Sequence, residues 1–253
     1  MAEPTQRDIS VTAAILVIGD EILSGRTKDT NSGYIADYLT EIGVDLKEIR
    51  VVPDEMPTIV ASVRELSRKF TYVFSTGGIG PTHDDITADA MAEAFNVGIA
   101  HNPEAIAMMK ARYPADIELN EARLRMARIP LGAKLIENEA SAAPGFIIGN
   151  VHVMAGVPNV MRAMMDTVGP TLAHGRIVHS RTLPFYDGEG AIAAGLGEIQ
   201  AQFSDVAIGS YPTMRGGRYM TNIVMRSRDE ERLTQCEALV SVLIQSLSIK
   251  LPG

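Results

Sequence analysis

The chain has 253 residues, room for one large domain or two unequal ones, and 46% of them are apolar, enough for a sizeable core and too many for general disorder. Its net charge of −8, its 5% aromatic content and the absence of Trp argue against a phosphate-neutralising or base-stacking nucleic-acid surface. An acidic chain that holds phosphates does so with backbone N–H groups, or through a divalent cation bridging carboxylate and phosphate. Cys236 is the only cysteine, so no intrachain disulfide or cysteine-rich metal site forms, and its helical pattern reads as a packed small hydrophobe. The N-terminus has no apolar leader and the chain no apolar run of about 18 residues, so a cytoplasmic location and no membrane partner are expected.

Residues 1–10 read as a disordered tail. The apolar run 12–18 suits a strand buried on both faces and stops at Gly19. A helix follows over 29–42, with Gly43 where a C-cap belongs. Residues 44–52 alternate as a strand, and 57–69 form a helix with Pro57 in its first turn. Residues 71–75 are a second buried strand, and helices are expected at 86–95, 103–113 and 118–128. Short strands at 134–137, 145–148 and 151–154 precede a helix over 159–172. This alternation argues for a doubly wound α/β sheet over 11–174. Residues 175–253 then read strand 176–184, helix 189–203, strand 205–212, turn at Gly216-Gly217, strand 218–226, helix 229–247: a smaller α+β domain.

Chemistry concentrates in Ser75-Thr76-Gly77-Gly78-Ile79-Gly80-Pro81-Thr82-His83-Asp84-Asp85-Ile86-Thr87, where a buried strand hands over to a helix. Gly77, Gly78 and Gly80 let backbone approach an anion, and the next helix offers free N–H groups. Asp84 and Asp85 would repel a bare phosphate, which makes a bridging Mg²⁺-type ion attractive. The same residues also suit a plain strand-to-helix turn with Asp85 as N-cap. His83 could reach a phosphate or stand in solvent. A second segment, Gly19-Asp20-Glu21-Ile22-Leu23-Ser24-Gly25 with Asp29-Thr30-Asn31, also follows a strand. Its acids could hold a cation or a ribose hydroxyl, or simply solvate a loop with Asp29 or Thr30 capping the helix. Three weaker turns are Val52-Pro53-Asp54-Glu55, Ala143-Pro144-Gly145-Phe146 and Ala155-Gly156-Val157-Pro158.

Taken in order, these segments resemble the MoCF (molybdenum cofactor biosynthesis, molybdopterin-binding) domain family, and its CinA N-terminal variant most of all. The likeness runs over about 12–172, and the trailing unit resembles the small KH-type domain that follows it in CinA proteins. The resemblance implies a three-layer α/β/α fold with a mostly parallel sheet. It also implies a nucleotide-like ligand, either ADP-ribose cleaved by a metal-dependent pyrophosphatase or a molybdopterin, or a pocket that binds without catalysis. It implies catalytic roles for Asp54 and Asp85, and a divalent metal at Asp20, Glu21, Asp84 and Asp85. Ligand contacts are expected at Gly19, Asn31, Thr76, Gly77, Gly78, Gly80, Thr82, Gly145, Gly156 and Pro158, and a homodimer is the expected assembly. Three departures stand out. Val160 occupies the place of a usual Glu, with Met154-Ala155 where Leu-Pro is common. Residues 138–142 lack a customary glycine. Ending at Gly253, the chain has no nicotinamide-mononucleotide deamidase domain, so deamidation is not expected. Arg215-Gly216-Gly217-Arg218 reads as a hairpin tip rather than the Gly-x-x-Gly loop of an RNA-binding KH module, so no nucleic-acid partner is expected.

Overall fold

The computed structural model describes residues 10–114, 116–215 and 217–248, which leaves the expected tail 1–9 and hairpin residue Gly216 outside the described residues. The chain divides into two compact units, Met1–Gly175 and Arg176–Gly253. Among the described residues no helix is long and apolar enough to cross a membrane.

The first unit runs β1 (Thr12–Ile18), α1 (Asp20–Leu23), α2 (Asn31–Glu41), β2 (Asp45–Val52), α3 (Met56–Lys69) and β3 (Tyr72–Thr76). It continues with α4 (Thr87–Phe95), β4 (Ile99–His101), α5 (Pro103–Arg112), α6 (Glu121–Arg125) and β5 (Arg128–Pro130), and closes with β6 (Lys134–Ile136), β7 (Gly145–Ile148), β8 (Val151–Met154) and α7 (Pro158–Val168). Six strands form one sheet in the order β2-β1-β3-β8-β7-β6. The first four are parallel; β7 runs against them, and β6, antiparallel to β7, returns to their direction.

The apolar run of β1 is explained by its two buried faces. Ala14, Leu16 and Ile18 pack with Ile59, Val63 and Leu66 of α3 and Met91 of α4. Ala13, Ile15 and Val17 point the other way, into Ile35 and Leu39 of α2 and Met161, Met164 and Met165 of α7. The strand alternation thus splits one sequence run between two cores, giving three layers, α/β/α. Met161, Met164 and Met165, at helical spacing on α7, are core. Gly43 follows α2 with φ 73°, and its N–H reaches back to Thr40 O at 3.1 Å.

The helix expected over 118–128 is wrong in extent. Asn120 captures Arg123 N–H at 3.0 Å and starts a helix of only five residues. Residues 128–130 instead pair with 99–101 in a two-stranded ladder that carries buried Ile129 into the core. Three-residue strands hold barely one period of alternation, so neither was visible beforehand.

The second unit is β9 (His179–Phe185), α8 (Ala193–Gln202), β10 (Ala207–Arg215), β11 (Arg218–Ser227) and α9 (Glu230–Ser248). Its antiparallel sheet has the order β10-β11-β9, with β10 and β11 joined at the expected hairpin. The strand expected from 176 begins at His179. Phe185, Ile223, Met225, Leu233 and Val240 surround the fully buried Cys236, whose thiol pKa is raised by burial.

His152 on β8 is buried between Phe74, stacked at 5.1 Å, and Tyr72 at 5.7 Å. Burial pushes its pKa down to about 4 from an ordinary 6.5. Between those values the unfolded chain takes a proton that the native chain refuses, so stability falls as pH drops from 6.5 to 4. The full loss is about 3 kcal/mol. Urea midpoints at pH 7, 5 and 4 should fall less steeply in His152→Leu than in wild type.

Candidate functional site

The chain leaves β1 to form β2 on one side and β3 on the other, so the sheet order reverses at β1 and β3. Ligands of open α/β sheets bind outside the carboxyl ends of strands at such a point. Gly19, Asp54, Gly77 and Gly156, from four separate segments, all arrive there, because β1, β2, β3 and β8 are parallel neighbours.

The loop after β3 is forced to be glycine. Gly77 has φ 100°, and a Cβ there would lie 2.1 Å from Ile18 O. Gly78 has φ 66°, and a Cβ would lie 2.2 Å from Thr87 Oγ1. Thr87, fully buried at the start of α4, turns both glycine carbonyls backwards. Its hydroxyl donates to Gly77 O at 2.9 Å and its N–H to Gly78 O at 3.0 Å. The amides of Gly78, Ile79 and Gly80 have no partner among the described residues, and α4 begins with no side-chain cap. Consecutive free N–H groups in such a glycine loop form an anion-binding concavity. Thr87→Val keeps the side-chain volume but leaves Gly77 O buried without its donor. We expect it to cost about 1–3 kcal/mol in denaturant unfolding and to weaken anion binding.

Asp54, in the turn after β2, accepts Asp20 N–H at 2.9 Å, and its Oδ1 lies 3.6 Å from where a Gly78 Cβ would be. Its pKa is raised by burial first, with the Asp20 amide opposing, and further by the neighbouring carboxylates Glu21, Asp20 and Asp84. Asp20 and Glu21 are exposed in the first turn of α1; Asp84 and His83 are exposed in the loop. Among the described residues no three His, Cys, Asp or Glu side chains stand close enough to cage a metal. The donors near Asp54 are thus hard carboxylate oxygens without a closed cage. This suits a cation held by one or two carboxylates and completed by a ligand's phosphates.

Asp85 differs from the other acids. It is not an N-cap: the cap position of α4 belongs to Ile86, and the helix starts at Thr87. The Asp85 carboxylate takes hydrogen bonds from Thr82 N–H, at 2.8 Å, and from the Thr82 hydroxyl. Its carbonyl accepts Arg125 Nε and Nη2 at 3.3 and 3.0 Å. Thr82 is thus a partner of Asp85 in closing the turn.

Asn31, first residue of α2, donates Nδ2–H to Gly156 O at 2.8 Å. Asp29 accepts the Asn31 and Ser32 amides at 3.0 and 3.1 Å, the capping role its sequence position allowed. Gly156 presses on the glycine loop: a Cβ there would sit 3.3 Å from Gly77 Cα. Pro158 opens α7, and Thr76 is buried in the wall. Gly145 has a packing reason, since a Cβ would meet Val153 O at 2.4 Å. Gly19 donates its N–H to Val52 O at 3.1 Å, tying β1 to β2.

Two clefts flank the loop. One lies among Glu21, Lys28, Asn31, Thr76, Gly77, Gly156 and Pro158. The other, a narrow one, is lined by Gly78, Gly80, Asp85, Asp89, Arg125 and Arg128, with Arg128 paired to Asp89 at 2.9 and 2.5 Å. Thr87, Arg125 and Arg128 were not singled out in the sequence. Thr87 closes the glycine-rich motif and was the one with a visible signal.

The family described as a probable molybdopterin binding domain matches residues 14–174. The chain belongs to this family. Residues 177–251 match the middle domain of FAD synthase. The CinA protein of Thermoplasma acidophilum is 33% identical with a TM-score of 0.60, over 64% of this chain and 98% of that one. A protein of Archaeoglobus fulgidus is 34% identical over 220 residues, 87% of this chain and 92% of its own. One from Thermococcus kodakarensis is 36% identical over 236 residues, again 87% and 92%. The fold of the first unit is thus the CinA-type MoCF fold.

Proposed function

We propose that the crevice binds a nucleotide-like diphosphate and hydrolyses it with the help of a divalent cation, ADP-ribose or a related dinucleotide being the substrate class. The observation that carries this reading is the juxtaposition of the free Gly78, Ile79 and Gly80 amides with the Asp54 carboxyl and its acidic neighbours. The amides receive phosphate oxygens and stabilise charge as it develops there. Asp54, with its raised pKa, is suited to take the proton of an attacking water. A new P–O bond forms from that water, the bond from phosphorus to the bridging oxygen breaks, and AMP and ribose 5-phosphate result. A divalent cation held by one or two of Asp20, Glu21 and Asp84 would neutralise diphosphate charge. Asp85 keeps the loop closed through Thr82. The match of the second unit to a domain of FAD synthase, which makes an adenine dinucleotide, supports this substrate class.

A second reading is molybdopterin binding, favoured by the description of the matching family, with the pterin's phosphate on the same loop. The deciding experiment incubates the protein with ADP-ribose and other dinucleotides and Mg²⁺, Mn²⁺ or Co²⁺, and measures AMP. Metal-dependent AMP release is expected. No turnover across the panel would remove the hydrolase reading; saturable binding without product would leave a nucleotide-binding module, and selective pterin binding the second reading.

A further inference from the structure

From Ile79 to Ile86 the glycine loop has one hydrogen-bonded tether to another segment among the described residues, the guanidinium of Arg125 on α6. Its Nε and Nη2 both donate to Asp85 O, at 3.3 and 3.0 Å, across 40 residues of chain. The other hydrogen bonds of the loop are local. Thr82 donates its N–H and its hydroxyl to the Asp85 carboxylate, and Asp85 N–H returns to Thr82 O at 3.3 Å. This closed turn leans on Gly80, where a Cβ would lie 2.7 Å from an Asp85 carboxylate oxygen. Whatever fixes Asp85 therefore also fixes the backbone around Gly80.

Arg125 stands on a firm support. Asn120 caps α6, and β5 just beyond it pairs with β4 and carries Ile129 into the core. Arg128 of β5 grips Asp89, in the first turn of α4, at 2.9 and 2.5 Å, and the Arg125 guanidinium lies 3.9 Å from the same carboxylate. Segment 120–130 thus takes hold of the chain on both sides of the start of α4, at Asp85 before it and at Asp89 within it. An anion site gains from donors that are aimed before the ligand arrives, because ordering a loop on binding subtracts from affinity. We propose that Arg125 is a positioning residue that, through Asp85 O, holds loop 79–85 in the conformation that leaves the amides of Gly78, Ile79 and Gly80 unpaired for a diphosphate. This rests on reading the crevice as a diphosphate site.

Two measurements on the full chain test this. Amide hydrogen exchange without ligand reads the loop at Thr82, Asp85 and Thr87, whose N–H groups are bonded to the Asp85 carboxylate, Thr82 O and Gly78 O. Isothermal titration with ADP-ribose in the presence of Mn²⁺ reads affinity. The variants are Arg125→Lys, which keeps the charge without the planar fork, and Arg125→Met, which keeps the stem alone. Arg64→Lys is the control: Arg64 also donates to backbone carbonyls, Ala94 O at 3.2 Å and Glu93 O at 2.8 Å, but at the far end of α4. Both Arg125 variants should exchange these amides roughly tenfold faster and bind about tenfold more weakly, the scale of a lost hydrogen bond to a charged group. Arg64→Lys should leave both readings at wild type. Wild-type loop exchange in both Arg125 variants, whatever their affinity, overturns the inference and leaves the proposed function standing. So does a loosened loop that binds with wild-type affinity, or an equal loss in Arg64→Lys. A wild-type protein that binds no ADP-ribose overturns the proposed function and this inference with it.

Discussion

Asp54→Asn is expected to lower metal-dependent turnover by about 10²-fold or more while the melting temperature stays at wild type or rises. The two halves of this expectation have one cause. Burial and the charges of Glu21, Asp20 and Asp84 raise the Asp54 pKa. An acid with a raised folded pKa stabilises the fold while protonated and loses that contribution as pH rises through the folded value. Ionising this carboxyl therefore costs the fold stability. Asparagine removes the charge and keeps an oxygen for the Asp20 amide, now 2.9 Å away. Thermal unfolding beside AMP release, both at pH 7, measures the two effects. A variant that loses stability and keeps activity would remove Asp54 from the reaction.

Gly77→Ala should be more damaging to the fold than any other single change in the loop. The new Cβ would lie 2.1 Å from a backbone carbonyl, Ile18 O, which cannot rotate aside as a side chain would. The φ of 100° is also unsuited to alanine. Strain and overlap together should cost roughly 2–4 kcal/mol. Relief requires β1 and β3 to part where the glycine loop meets them, so affinity for the proposed ligand should fall with stability. Denaturant unfolding and titration of ADP-ribose on the same preparation would record both. By contrast, a Cβ at Gly25 meets nothing within 4 Å, so Gly25→Ala, although also at positive φ, should leave binding unchanged and serves as the control.

What was legible in the sequence follows from how each feature is encoded. β1 lies inside the sheet, so its burial on both faces writes a continuous apolar run. Gly77 and Gly78 were legible because only glycine tolerates their backbone. The local hydrogen bonding of Asp85, as distinct from the catalytic and metal roles expected of it, was not. Its spacing allowed an N-cap, but Thr87 is turned back onto Gly77 and Gly78, so the helix starts later and Asp85 closes the Thr82 turn instead. Arg125 and Arg128 were hidden for a related reason. They fell inside an expected helix, whereas Asn120 starts a short one and Arg128 enters a ladder with His101. Such roles depend on contacts between distant segments, and one chain's local pattern carries no record of them. Asn31 shows the same limit: its position in the motif was legible, while its bond to Gly156, 125 residues away, was not.

In the proposed function the crevice holds a diphosphate between the glycine-loop amides and a cation bound by the acids around Asp54. Calorimetric titration of ADP-ribose into the wild-type chain, with and without Mn²⁺, tests it most directly. Saturable one-to-one binding that strengthens markedly with Mn²⁺ is expected, with loss of the metal-dependent part in Asp54→Asn. Absence of saturable binding in both conditions, or equal binding with and without the cation, would contradict it.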